Sequence, residues 1–169
     1  MTANDPLPTL HGLLIRPALD RDSAAAAALV ARIWSDYPGC VFDADEEDDL
    51  RAIASHYAAK GGAFWVVEDG QGQLVATVAI APTPVATGMV LHRLYVERAA
   101  RRQGLASRLL EFAEGAARRR GAGFVELWSD TRFTEAHAFY ARHGYVQMPG
   151  ERALRDASDS YEFHFRKRL

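Results

Sequence analysis

A single cysteine, Cys40, stands in a chain of 169 residues, so no intramolecular disulfide can form and no CxxC or Cys/His spacing offers zinc a site. Structural metal and dithiol redox chemistry are not expected. No stretch approaches the roughly 18 to 20 apolar residues of a membrane span, and the opening MTANDPLPTLHG lacks the basic segment and apolar run of a secretory leader. The formal net charge of -2 gives no general attraction to nucleic acid or to an anionic membrane. Neither G-x-G-x-x-G nor G-x-x-x-x-G-K-[ST] occurs, which leaves the nucleotide-binding classes without their phosphate loops. A cytoplasmic protein whose partners are set by local sites is the expectation, with a homodimer left open.

What is present fits one folding unit. Apolar residues make up 49% of the chain and charged residues 25%, enough for a single domain that buries about 70% of the surface its unfolded form exposes. No internal repeat or low-complexity linker divides it. Residues 1–11, with two prolines and no periodicity, read as a flexible N-terminal extension, and residues 12–169 as the domain.

Leu13 to Pro17 is a short apolar run stopped by proline, followed by Asp20 or Asp22 as cap of an alanine-rich helix reaching about Tyr37. Residues 44–59, acidic at the start and with Leu50, Ile53, Ala54 and Tyr57 at three and four residue spacing, predict a second amphipathic helix. Two β-rich runs, 63–68 and 73–81, flank Asp69-Gly70-Gln71-Gly72, a hairpin signal. A third run, Gly88 to Val96, leads through a charged connection into the clearest helix, where Leu105, Leu109, Phe112, Ala113 and Ala116 form a buried stripe and Arg108, Glu111, Glu114, Arg118 and Arg119 face away. Phe124 to Ser129, Tyr145 to Met148 and Tyr161 to Arg166 predict the last strands, with a helix from Thr134 to His143 between the first two.

The segment carrying the chemistry is Val90 to Leu110, a buried strand feeding a glycine-containing basic turn and then an amphipathic helix. The first N–H groups of a helix have no partner within it and the helix dipole adds partial positive charge, so such a turn can hold a phosphate or pyrophosphate. Gly104 and Ala106 allow close approach of the anion to the backbone. The same arrangement also serves as a plain connection bearing solvated arginines.

Arg101-Arg102-Gln103-Gly104-Leu105-Ala106 follows the R/Q-x-x-G-x-G/A pattern, after Leu94-Tyr95-Val96 at a strand end, and Ala136-His-Ala-Phe139-Tyr140-Ala-Arg-His-Gly144-Tyr145 follows A-x-x-F-Y-x-x-x-G-F/Y. In these two motifs and in its order of elements from Leu13 onward, the chain resembles the GNAT superfamily of N-acetyltransferases. It departs from the pattern at Phe133, where many members have asparagine, and at Ala106, a mild replacement for glycine. The resemblance implies an α/β (α+β) fold with a mixed, mostly antiparallel central sheet flanked by helices and a splay between its fourth and fifth strands. It also implies acetyl-CoA as cosubstrate, its pantetheine amides on the backbone of Leu94, Tyr95 and Val96 and its pyrophosphate on the amides of Arg101, Arg102, Gln103, Gly104, Leu105, Ala106 and Ser107. The acetyl group would pass directly to a small-molecule amine or peptide acceptor in a ternary complex, with no metal. A non-catalytic acyl-CoA sensor or interaction module is the alternative.

Acetyl transfer to an amine needs a neutral nitrogen, stabilisation of the oxyanion and a proton for the departing thiolate. Tyr140, matching the tyrosine of the family's F-Y pair, is the candidate acid; packing beside Phe139 is its competing role. His92, Asp130 and Glu126 are candidate bases, with a sheet-bound histidine, a helix cap at Asp130 or Thr131, and a solvated strand face as the respective alternatives. Arg132 joins Asp130 and Thr131 after the fifth strand, as substrate contact or surface charge. Trp34, Tyr37, Asp43 and Asp45 can line an acceptor pocket or belong to an exposed acidic helix.

Overall fold

Two apolar faces, one on each side of a single sheet, account for the arrangement of the elements. The computed structural model describes residues 9–10, 13–84 and 87–169. In chain order these form β1 (Thr9–Leu10), β2 (Leu13–Pro17), α1 (Ser23–Trp34), α2 (Ile53–Ala59), β3 (Ala63–Glu68), β4 (Leu74–Pro82) and β5 (Gly88–Val96). They continue with α3 (Leu105–Arg119), β6 (Phe124–Asp130), α4 (Thr134–Arg142), β7 (Val146–Ala153) and β8 (Tyr161–Arg168). The eight strands lie in the order β1-β2-β3-β4-β5-β6-β8-β7. Neighbours are antiparallel except β5 and β6, which run parallel.

Strand alternation sends successive side chains to opposite faces. Val67, Val78 and Ile80 pack with Leu105, Leu109 and Ala113 of α3, while Val66, Phe64 and Ala79 pack with Ala26 and Val30 of α1 and Ile53 and Tyr57 of α2. The β3–β4 hairpin turns as its sequence implies: Asp69 Oδ1 accepts from the N–H of Gln71 and of Gln73, both at 2.9 Å, and Gly72 takes φ 78°.

Three expectations change. Helix is confined to Ile53–Ala59, with a short 3₁₀ turn at Asp48–Leu50, in place of a helix across 44–59. Six carboxylates from Asp43 to Asp49 would repel one another along a helix face; instead Glu47 and Asp49 share Arg93, Asp45 and Asp48 share Arg51, and Glu46 accepts from the Ala157 amide. Asp22 stands at the N-cap of α1, as read, but its side chain makes no cap bond. Asp22 pairs with Arg16, and Asp20 accepts from the Ser55 amide in the first turn of α2 at 2.9 Å. Glu114 does not face solvent: it is 4% exposed and both its oxygens lie 2.8 Å from Lys167 Nζ on β8. Most of the segment 1–11 read as a flexible extension lies outside the described residues, but Thr9 and Leu10 pair with Leu14 and Leu13.

Candidate active site

The fourth and fifth strands of the seven read from the sequence are β5 and β6. They share register only from Gly88 to Val90 with Phe124 to Glu126. Beyond that point β5 stays on β4 as far as Val96, and β6 stays on β8 as far as Asp130. The sheet therefore opens into a V, and among the described residues the edge of Leu91–Val96 that faces it has no strand partner. A cavity of about 930 Å³ fills the opening.

The opening begins beside a bulge. Thr77 opposes Tyr95 and Ala79 opposes His92, so Arg93 and Leu94 together face Val78. Arg93 takes φ 52°, rare for a residue with a Cβ. Its carbonyl accepts from Thr77 Oγ1 at 2.7 Å, and its guanidinium binds Asp49, Nε to Oδ2 at 2.9 Å and Nη2 to Oδ1 at 2.5 Å, as well as Glu47. Tyr57 Oη donates to the same Asp49 Oδ2 at 2.8 Å. Burial would favour the neutral form of Asp49, but the Arg93 hydrogen bond and charge dominate and hold its carboxyl below the usual range.

After β5 the chain turns through Arg101, Arg102, Gln103 and Gly104 into α3. Arg102 has φ 64° and Gly104 φ 77°. The first helical bond runs from the Arg108 N–H to Gly104 O, so the amides of Leu105, Ala106 and Ser107 precede the helix ladder. A Cβ built on Gly104 would meet no atom within 4 Å, so the space above the turn is open to an anion. Arg101 ties the turn to the strand by donating from Nε to Val96 O at 2.9 Å. Ser107 Oγ lies 3.0 Å from His143 Nε2, while His143 Nδ1 lies 2.8 Å from Phe139 O. A carbonyl only accepts, so Nδ1 carries the proton and Ser107 donates to Nε2, which joins the start of α3 to the end of α4.

Tyr140, Leu94, Tyr95, Val96, Arg101 and Ala106 all line the cavity. Tyr140 is 8% exposed, and burial holds its phenol above the ordinary tyrosine pKa. Its ring packs edge-on against Phe139 and Tyr145. His92 is on the cavity wall, its ring 5.9 Å from that of Tyr57. The residue is exposed to the cavity, and the protein crowded around its ring lowers its pKa, to about 4; Asp49 opposes this and Arg93 adds to it. Asp130 also lines the cavity, but Arg132 takes its carboxylate at 2.8 and 2.5 Å and holds its pKa low against the effect of burial. Glu126 is outside the cavity lining and pairs with Arg166 and His164.

Of the four acceptor-pocket candidates in the first half, Trp34, Tyr37 and Asp45 line the cavity and Asp43 does not. Trp34 Nε1 donates to Tyr95 Oη at 2.9 Å, and Tyr37 packs against Phe133 at 4.4 Å between centroids. Phe133 therefore supplies apolar wall where the family pattern often has an amide. The sequence reading missed Glu47, Asp49, Tyr57 and Arg93. An arginine inside the apolar run Val90 to Val96 requires a counter-charge, and the acidic excess at 43–49 was the available source.

The profile of the Acetyltransferase (GNAT) family matches residues 26–145, a span that contains the splay, the α3 turn and Tyr140. The chain belongs to this family. A Xenopus tropicalis protein named "Probable N-acetyltransferase 14" is 30% identical over 102 residues, which are 60% of this chain and 50% of that protein, so the chain spans about half the length of this relative. The fold is shared with a GNAT-family acetyltransferase from Staphylococcus aureus Mu50, at TM-score 0.81 and 18% identity over 93% of this chain and 99% of that one. An acetyltransferase from Streptococcus agalactiae 2603 gives TM-score 0.81 and 18% identity over 95% and 100%. Among the described residues no group of three or more His, Cys, Asp and Glu is placed to hold a metal ion, and no helix is long and apolar enough to cross a membrane.

Proposed function

We propose that this GNAT-family chain moves the acetyl group of acetyl-CoA to a primary amine by direct transfer in a ternary complex. The observation that carries the reading is the unpartnered edge of Leu91–Val96, which opens on a cavity reaching both the α3 turn and Tyr140. Backbone groups of Leu94, Tyr95 and Val96 on that edge suit the amides of a pantetheine arm. The turn from Arg101 to Ser107 suits a pyrophosphate, through free amides and the α3 dipole.

In the transfer a bond forms between the amine nitrogen and the acetyl carbon, the carbon–sulfur bond breaks, the sulfur gains a proton and the nitrogen loses one. Tyr140 gives the proton to sulfur; its raised pKa keeps the phenol protonated at neutral pH. His92 is neutral above about pH 4 and can accept the nitrogen's proton, directly or through water. Asp130, held by Arg132, is the poorer acceptor. Cys40 also lines the cavity, but direct transfer needs no acylated cysteine.

The test is to incubate the protein with acetyl-CoA and a panel of amines, measuring released thiol and acetylated amine together. Equimolar appearance of both supports the reading. Acetyl-CoA binding without transfer to any amine contradicts it and favours a non-catalytic acyl-CoA module.

A further inference from the structure

The loop between α1 and α2 and the loop between β7 and β8 both line the cavity, and they are joined to each other. Val41 N–H donates to Ser158 Oγ at 2.7 Å, and Ser158 Oγ donates back to Val41 O at 3.2 Å. Ala157 N–H donates to Glu46 Oε2 at 2.9 Å. Arg132 braces the pair of loops, with Nη1 on Gly39 O at 2.6 Å and Nη2 on Ser160 Oγ at 2.7 Å. Its own position is fixed by Asp130 at the end of β6. Gly39 allows this approach: it has φ 83°, and a Cβ there would sit 3.3 Å from Arg132 Nη1.

These bonds make a strap. One loop belongs to the α1/α2 face of the sheet, opposite the face that carries α3 and its turn. The other comes from the far side of the V, from the strands paired beyond β6. The strap thus crosses the opening on the face away from the α3 turn, where an acceptor must enter if the turn holds the cofactor. An internal lysine of a peptide or folded protein brings main chain on both sides of its side chain, and that main chain must lie across the mouth. Here that side of the cavity is spanned by the two loops, tied to each other by bonds between backbone and side chain. An isolated small amine needs no such room.

We infer that the acceptor is a small free amine that enters the cavity whole, and that the strap formed by Val41, Glu46, Arg132 and Ser158 excludes lysine within a polypeptide. The inference rests on the acetyltransferase reading above. Asp130 and Arg132 then act as positioning residues for the strap.

The experiment compares kcat/KM for butylamine and 1,4-diaminobutane with that for an N-acetylated, C-amidated tripeptide with lysine in the middle and for a folded lysine-rich protein. Acetyl-CoA affinity is measured alongside by calorimetry. The expected result is a preference of about 10²-fold or more for the small amines. Arg132→Ala with Ser158→Ala should narrow it by raising transfer to the tripeptide, with acetyl-CoA affinity unchanged; Glu46→Gln with Ser158→Ala provides a second opening should the first pair not fold. Equal or better use of the tripeptide or protein by the unaltered chain overturns the inference while leaving the acetyltransferase reading intact. A preference untouched in folded strap variants overturns the role of the strap. Bound acetyl-CoA with no transfer to any amine overturns the underlying reading, and the inference with it.

Discussion

Arg93 holds a left-handed backbone at φ 52° while its guanidinium grips Asp49 at 2.9 and 2.5 Å. Left-handed geometry costs a residue with a Cβ roughly 1 to 2 kcal/mol, so the side-chain pair and the Thr77 bond to the Arg93 carbonyl must hold the bulge in place. The acidic segment 43–49 is thereby pinned to the strand edge that opens on the cavity. Local strain at the splay and charge order in the first half of the chain are one arrangement.

Replacing Arg93 separates the two contributions. Arg93→Ala leaves Glu47 and Asp49 facing each other without their cation and should destabilise the fold by about 3 kcal/mol. Arg93→Gly loses the same pair but relieves the left-handed backbone, so it should be the more stable of the two by ~1 kcal/mol. Urea unfolding of both variants checks this order. Glycine equal to or worse than alanine would show that the bulge is not strained.

Tyr140→Phe removes a proton donor and keeps the ring that packs on Phe139 and Tyr145. The expected outcome is a loss of roughly 10²-fold in kcat with acetyl-CoA affinity nearly unchanged. Because burial lifts the phenol above its ordinary pKa, the acid form persists past pH 10. The kcat profile of the unaltered protein should therefore rise with pH as the acceptor loses its proton and show no fall near pH 10. Full kcat in the variant would make Tyr140 a packing residue.

His92 links the site to stability at mildly acidic pH. Its folded pKa of about 4 lies below the unfolded value of about 6.5. Between those values the unfolded chain binds the extra proton, so the contribution of neutral His92 is present above pH 6.5 and is lost as pH falls toward 4. His92→Gln should flatten that part of the stability profile. Proton NMR of the imidazole reads the pKa directly, and an ordinary value near 6.5 would contradict the account.

Much of the fold could be read along the sequence because its periodicities are clean. The run from Gly88 through Arg119 falls into strand, turn and helix as expected, since alternating apolar residues, Gly104 and the Leu105, Leu109, Ala113 stripe agree at every level. The errors share one cause. Glu114, Asp20 and the 44–52 segment were assigned by local pattern, but their positions depend on Lys167, Ser55 and Arg93, which are 53, 35 and more than 40 residues away. A carboxylate looks solvated in sequence until its distant cation is known. The cofactor turn was legible because its chemistry is carried by contiguous backbone; the Arg93 network and the strap were not, because they join segments that only the sheet brings together.

The cofactor assignment at the turn is tested most directly by calorimetric titration of acetyl-CoA into the unaltered protein and into Gly104→Glu and Arg102→Ala, with circular dichroism to confirm folding. Gly104 stands at φ 77° before the free amides of α3, with open space where its side chain would project. A glutamate there puts bulk and negative charge where the pyrophosphate belongs, whereas Arg102 adds only a solvated charge. Binding should be abolished in folded Gly104→Glu and weakened only modestly in Arg102→Ala. Unchanged acetyl-CoA affinity in folded Gly104→Glu would contradict the placement of the cofactor at this turn.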